Sequence, residues 1–205
     1  MAGSTRVEPV YDLINCGPRT RFVVADCFGQ PLIVHNSGAV YSNDNEYVVL
    51  DSSRYELIAD IVAERKHSVV FFNWRHQRDL LSKEFDKRDI RFALIDGSIA
   101  QHDRDQIVAD FQAGKYQTIL LHPKTGAHGL TLTAADTTVI ASPFYEADLL
   151  KQGLHRIYRG DQNKVTNTVL VQAEGTVEDA VYARLNGKYE RMSDLLQLMR
   201  DRSKQ

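Results

Sequence analysis

Two stretches set chemically able side chains at informative spacings. The first is "PLIVHNSGAV", Pro31 to Val40, an apolar run that ends on His35, Asn36 and Ser37. These three offer, in succession, an imidazole that titrates near neutrality, a carboxamide and a hydroxyl nucleophile. Asn, Ser and Gly are also ordinary turn residues, so the triplet alone reads as a polar turn too. The second stretch is Lys124 to Gln162, "KTGAHGLTLTAADTTVIASPFYEADLLKQGLHRIYRGDQ". Its glycine-punctuated loop, Thr125 to Gly129, lets backbone N–H groups and small hydroxyls come close to a phosphate. Further on, Gln152, Arg156 and Arg159 are spaced by four and three, which puts them on one face of a helix. Neighbouring guanidiniums suit a polyphosphate because each grips two oxygens. A solvated helix face with surface arginines has the same spacing.

The totals exclude several classes. A chain of 205 residues holds one ordinary domain and a small extra piece. Its apolar content of 43% and charged content of 25% are those of a soluble globular protein. With Lys plus Arg at 25 against Asp plus Glu at 27, any nucleic-acid contact must come from a local groove. Cys16 and Cys27 lie far from a CxxC spacing, so no metal site and no disulfide framework is expected. No apolar h-region and no membrane-length run occurs, and a reducing cytoplasm is the expected setting.

The elements that must position these groups fall into two unlike regions. Residues 1–36 read as all-β: "RVEPVYDLI", "RFVVADCF" and "PLIVH" are short apolar or β-branched runs separated by turn chemistry. Three such strands cannot bury a core alone. Residues 37–50 read as a linker. From residue 51 the pattern is α/β: "YELIADIVAERKH" puts Leu57, Ile58, Ile61 and Val62 on one helical face. The buried strand "SVVFFNW" follows, then the helix "RHQRDLLSKEFDKRD" and the strand "IRFALIDGS". The helix "HDRDQIVADFQAG" has Gly114 as its stop, and "TILLHP", "TTVIASP" and "TNTVLVQA" supply three more strands. Alternation of this kind predicts a parallel sheet with helices on both faces. From Thr176 a capping-box-like Thr-Val-Glu-Asp opens an amphipathic C-terminal helix.

The larger region resembles the second RecA-like domain of superfamily 2 helicases, especially the Snf-type translocases and their phage relatives. "VVFFNWRHQRDLL" resembles motif IV, "IDGSIAQHDRDQIVADF" the stretch after it, "GAHGLTLTAAD" motif V and "QGLHRIYRGDQ" motif VI, Q-x-x-x-R-x-x-R. The tail "GTVEDAVYARL" resembles the helix that closes such domains, so the likeness spans about residues 50–190 in order. It implies that Arg156 and Arg159 act as ATPase arginines, with Arg159 the finger on the γ-phosphate, and that Gln152 joins them at ATP. It also implies that Gly129, Thr131 and Thr133 line a nucleic-acid backbone or help couple it to the ATP site. His155 and His128 depart from the family's usual Asp and Val. The 205 residues contain no GxxxxGK[ST] loop and no DExx strand, so ATP with Mg²⁺ is expected only after joining to an N-terminal lobe.

Residues 1–36 resemble the C-terminal end of inteins, and from Met1 they have the length expected of a split-intein C-fragment. "VYDL" and "RFVV" follow block F; "LIVHN" with Ser37 follows block G and the first extein residue. In that chemistry the Asn36 side-chain amide attacks its own main-chain carbonyl, closing a succinimide and cutting the Asn36–Ser37 bond. His35 polarises the carbonyl or protonates the leaving amine. The Ser37 hydroxyl accepts an acyl group from an upstream fragment as an ester, and the freed amine takes it back as a peptide bond. Thr20 stands where many relatives carry a block F histidine and cannot shuttle a proton near neutral pH. Asp12 is either a supporting carboxylate or a strand-end residue bonding its own turn. No cofactor is needed for splicing.

The resulting expectation is an all-β Hint-type fragment at 1–36, an extein linker at 37–50 and a RecA-like α/β domain at 51–205. Trans protein splicing with an intein N-fragment would deliver half of an ATP-dependent DNA motor, duplex DNA being its track and an infected bacterial host its setting. The alternative is a non-splicing, nucleic-acid-binding lobe that pairs non-covalently with a separate ATP-binding lobe.

Overall fold

A computed structural model describes residues 23–25, 31–33, 38–41, 46–49, 51–126, 130–143 and 166–173, with positions 152, 157, 178, 181, 183 and 184. Its centre is a five-stranded sheet of β5 (Ser68–Phe71), β6 (Phe92–Ile95), β7 (Thr118–Leu121), β8 (Thr137–Ile140) and β9 (Asn167–Leu170), in the order β6-β7-β5-β8-β9. Every pairing is parallel. Period-two alternation divides the strands between two apolar layers. Val70, Phe72, Leu120 and Val139 face one layer; Val69, Phe71, Ile119, Leu121 and Ile140 face the other. Helices α1 (Ser53–Ala63) and α2 (Arg75–Lys87) cover the first. Helix α3 (Gln101–Gln112), Leu130, Leu132, Ala135 and the helical Ile157 cover the second. The expected sheet wrapped on both faces is therefore present.

Helix ends are handled by particular residues. Gly114 has φ +79, and the Gly114 and Lys115 N–H groups donate back to the Phe111 and Asp110 carbonyls, which ends α3 at the glycine read as its stop. Helix α1 has no basic residue in its last turn. Gln117, entering β7, supplies the missing donor: its Nε2 reaches the carbonyls of Val62 at 3.1 Å and Arg65 at 2.9 Å. One helical face differs from expectation. Leu57 is 51% exposed, and the buried face of α1 is Arg54, Tyr55, Ile58, Ala59 and Val62. Periodicity alone assigns the inward stripe to the apolar residues, whereas here the sheet offers carbonyls that an arginine can bond.

That arginine is buried. Arg54 Nη1 donates to the Ala141 carbonyl at 2.7 Å and to Val171 at 3.4 Å, while Nη2 pairs with Glu178 at 2.7 Å. Both side chains are 7% exposed. Glu178 Oε2 also accepts the Ala173 N–H at 2.9 Å. One guanidinium thus ties the start of α1 to the ends of β8 and β9 and to the C-terminal helical segment.

Two hairpins precede the sheet. Strand β1 (Val23–Ala25) pairs antiparallel with β2 (Pro31–Ile33), within two of the runs expected as strands; "RVEPVYDLI" lies outside the described residues. The stretch 37–50, expected as a linker, carries a second hairpin of β3 (Ala39–Tyr41) and β4 (Tyr47–Val49). It rests on α2 through polar and ring contacts. Tyr47 Oη donates to Asp79 at 2.9 Å, and Tyr41 Oη lies 2.9 Å from Nδ1 of the buried His76 and 3.1 Å from the His76 N–H. Tyr41, Tyr47 and Tyr55 all pack their rings against His76. At its foot, Gly38 has φ +84 and accepts the Asp51 N–H at 3.2 Å; a Cβ there would strike the Asp51 carbonyl.

Removing the Arg54 guanidinium strands a buried carboxylate, a loss of about 3–5 kcal/mol. Arg54→Met should therefore lower the urea-unfolding free energy strongly, and Arg54→Met with Glu178→Met should recover part of it. Single and double variants of equal stability would remove the pair from this role.

Candidate functional site

In an open parallel sheet the ligand-binding edge is the carboxyl edge, where loops leave the strands in different directions. Here the ends of β5, β6 and β7 open into a cleft of about 440 Å³. The β5–α2 turn contributes Asn73, Trp74, Arg75 and Arg78; β6 contributes Asp96 and Ser98; β7 contributes His122 and Lys124.

Side-chain amides hold the cleft's walls. Gln77 is fully buried, and its Oε1 accepts the N–H groups of Asn73 at 2.8 Å and Trp74 at 3.2 Å, two of the donors left open at the start of α2. Asn73 Nδ2 then reaches the Ser142 Oγ at 3.1 Å and the Pro143 carbonyl at 3.2 Å, linking the end of β5 to the end of β8. Asp96 receives both the N–H and the hydroxyl of Ser98, at 2.9 and 2.5 Å. Burial pushes the Asp96 carboxyl up, but the Ser98 hydrogen bonds and the Arg78 guanidinium outweigh it and hold the group below the ordinary carboxylate range. Arg78 bridges Asp96 at 3.3 Å and Asp79 at 2.8 Å, so one guanidinium is shared between the cleft's carboxylate and its neighbour. Burial and, secondarily, the Lys124 ammonium push the His122 imidazole below its ordinary value. That shift favours the neutral imidazole at pH 7; the cations lining the cleft are Arg75, which also lies over the Tyr47 ring at 5.7 Å, Arg78 and Lys124.

The expected phosphate loop has a different shape at its start. Pro123–Gly126 is a single helical turn (α4), and Thr125 is buried where an open loop was expected. A hydrogen bond from the Thr125 N–H to the His122 carbonyl at 3.0 Å closes that turn. Downstream, Gln112 at the end of α3 holds residues 131–134 with both ends of its amide. Its Nε2 donates to the Thr131 carbonyl at 2.8 Å and to the Thr133 Oγ1 at 3.2 Å; its Oε1 accepts the Ala134 N–H at 2.8 Å. Leu130 and Leu132 are buried, so Thr131 and Thr133 alternate with the anchors of this segment.

Of the residues singled out from sequence, Thr131 and Thr133 are brought together by Gln112, and Gln152 is helical and exposed. Asp12, Thr20, His35, Asn36, Ser37, Gly129, Arg156 and Arg159 lie outside the described residues. Sequence reasoning missed Gln112, Gln77, Asn73 and Trp74. The last three stand inside the strand-to-helix motif already singled out, but no periodicity marks Gln112. Among the described residues no His, Cys, Asp and Glu group could hold a metal ion, and no helix is long and apolar enough to cross a membrane.

A parallel sheet with these motif segments at its carboxyl edge is the architecture of a helicase lobe. Residues 53–161 match the family "Helicase conserved C-terminal domain", and the chain belongs to that family. Among the relatives it matches is the SNF2 domain-containing protein ENL1 of Oryza sativa subsp. japonica, 29% identical over 62% of this chain and 13% of that protein. The chain is 24% identical to the chromatin-remodeling ATPase INO80 of Candida glabrata over 85% of this chain and 12% of that protein. It is 33% identical to the DNA repair protein RAD5B of Arabidopsis thaliana over 55% of this chain and 9% of that one. The chain thus spans about a tenth of the curated relatives it matches. In fold it is similar to the C-terminal part of the Fun30 ATPase domain, with a TM-score of 0.59 at 18% identity over 63% of this chain and 44% of that one. The C-terminal domain of the DEAD-box protein Dbp5 gives 0.57 at 10% identity, over 68% and 79%.

The depressed His122 pKa carries a stability signature. The unfolded imidazole titrates near 6.5, above the folded one, so as pH falls through that window the unfolded chain takes the proton first and stability drops. Urea-unfolding midpoints followed from pH 7 to about 5 should fall less for His122→Gln than for the parent chain. Parallel curves would rule this coupling out.

Proposed function

We propose that this chain is the nucleic-acid-binding C-terminal lobe of a DNA motor and that it works with a separate ATP-binding lobe. The observation that carries this reading is the family match over 53–161, which ends just past Gln152, Arg156 and Arg159. Relatives named for chromatin remodelling and DNA repair support DNA as the polymer. The lobe would hold the backbone at its carboxyl edge, with Gly129, Thr131 and Thr133 toward the phosphates. Fixing the backbone amides of 131–134 through Gln112 suits that task, since phosphate contacts position a protein on a strand. Nothing in the 205 residues resembles a Walker loop, so the β- and γ-phosphates and Mg²⁺ must be held by the partner lobe. Bound between the lobes, ATP supplies the phosphoryl group; Arg156 and Arg159 would stabilise charge on it.

A second reading rests on one sequence observation, the "LIVHNS" ending at the junction between the N-terminal hairpin and the helicase lobe. Under it, residues 1–36 pair with an intein N-fragment, and Asn36 cyclisation with acyl transfer to Ser37 joins the lobe to an upstream segment in a reducing cytoplasm. The antiparallel pairing of Val23–Ala25 with Pro31–Ile33 is compatible with that use.

Purified alone, the chain should bind duplex DNA in a salt-sensitive manner and hydrolyse no ATP. Addition of a Walker-loop lobe should produce DNA-stimulated hydrolysis, and Arg159→Ala should lower its kcat by about 10³-fold. Hydrolysis by the chain alone would overturn the two-lobe reading. The splicing reading predicts, by mass spectrometry, loss of residues 1–36 and a ligated product beginning its C-terminal part at Ser37. Asn36→Ala should abolish that product and leave lobe assembly intact; an unligated chain after incubation with an intein N-fragment counts against it.

A further inference from the structure

Two of the cleft's cations are placed through Tyr47 of the 38–49 hairpin. The Arg75 guanidinium lies over its ring, 5.7 Å from the centroid, and its hydroxyl donates to Asp79 Oδ2 at 2.9 Å. Burial and, after it, the Asp79 carboxylate push the Tyr47 hydroxyl above its ordinary value, so it keeps its proton and stays a donor in the neutral range. With Oδ2 taken by Tyr47, Asp79 meets Arg78 through Oδ1, which accepts from both Nε and Nη2 at 2.8 Å. The remaining guanidinium nitrogen, Nη1, reaches the cleft's Asp96 at 3.3 Å. Arg78 thus serves two carboxylates, and its contact to Asp96 is the longer one. A carboxylate that gives both oxygens to one guanidinium forms two parallel hydrogen bonds, the stronger arrangement. The Tyr47 hydroxyl denies Asp79 that arrangement.

The hairpin is lightly seated. Its strands are three residues each, and Val48 is 64% exposed, so it is held chiefly by the contacts of Tyr41 and Tyr47. A two-stranded hairpin has little stability of its own, so such an element opens at low free energy. Gly38 at its foot, with φ +84, gives it a hinge.

We propose that the 38–49 hairpin is a regulatory lever on the cleft: docked, its Tyr47 keeps Arg78 shared between Asp79 and Asp96; undocked, it frees Asp79 to draw Arg78 away and leaves the Asp96 carboxylate with only its Ser98 hydrogen bonds. Strand β3 is the first strand after residue 37, so a pull from the upstream part of the chain reaches the carboxyl edge as a change of charge. Tyr47 stands on β4, Asp79 and Arg78 on α2 and Asp96 just after β6, so the signal passes between elements through side chains. The lever is independent of what the cleft binds and does not rest on the reading of the lobe as a nucleic-acid binder.

The reporter is Asp96, whose side-chain carboxyl is followed by carbon-detected NMR in the full chain as pH is lowered through the carboxylate range. Against burial, which raises it, the Ser98 hydrogen bonds and Arg78 hold the parent group below the ordinary carboxylate range. Tyr47→Phe keeps the ring under Arg75 and removes only the hydroxyl, and it should move the Asp96 titration up toward that range. Asp79→Asn removes the competing carboxylate, so Asp96 should stay low, and Tyr47→Phe added in that background should move it no further. Tyr41→Phe loosens the hairpin at its other anchor without touching the polar chain, and it should shift Asp96 in the same direction as Tyr47→Phe. All variants should keep the parent's far-UV circular dichroism. The lever is wrong if Tyr47→Phe leaves the Asp96 titration where it was, or moves it equally with Asp79→Asn present. It is also wrong if Tyr41→Phe lowers the hydrogen-exchange protection of the hairpin amides while Asp96 stays unmoved. Failure of the chain to bind DNA would overturn the proposed function and leave each of these outcomes as it is.

Discussion

A guanidinium taken out of water must find acceptors for its N–H groups, and the position of Arg54 is the consequence. Three parts of the chain supply them: the ends of β8 and β9 through Ala141 and Val171, and the C-terminal segment through Glu178. Since charge left buried without a partner is costly, the pair forces these pieces to arrive together. It stands at the ends of β8 and β9, so closure of that side of the sheet and docking of Glu178 are coupled.

The carboxyl edge uses a different device. Its loops are held mostly by neutral amides: Gln77 on the β5–α2 turn, Asn73 across to β8, and Gln112 on residues 131–134. An amide can donate and accept at once, and Gln112 uses both ends, giving to the Thr131 carbonyl and taking the Ala134 N–H without adding charge. The acidic group in the cleft is likewise held by protein groups, the Ser98 N–H and hydroxyl and a guanidinium it shares with Asp79. The outcome is a rigid edge with positive character in a chain whose net charge is −2.

The hairpin at 38–49 shows how a connecting segment becomes part of the scaffold. Tyr47 bonds Asp79, Asp79 pairs with Arg78, and Arg78 pairs with Asp96 at the cleft. The hairpin is thereby joined to the cleft wall through one chain of polar contacts, and the aromatic packing on His76 fixes its seat. A segment that enters the lobe from its N-terminal side is coupled to the edge where nucleic acid would lie.

The amino-acid sequence by itself determined the order and kind of elements from residue 51, the stop of α3 at Gly114 and the motif segments that place the lobe in its family. These are local matters: period-two and period-3.6 apolar patterns, glycine at a left-handed position, and short motifs. Only the tertiary structure decided that Arg54 is buried while Leu57 is exposed, that Thr125 is folded into a helical turn, that residues 38–49 dock on α2, and that Gln112 holds a loop some twenty residues downstream. Except for the Thr125 turn, which closes on His122 three residues back, the deciding interaction is a hydrogen bond or ion pair between residues distant along the chain. Its energy depends on which carbonyl or carboxylate the fold brings within about 3 Å, and no pattern of neighbours encodes that distance.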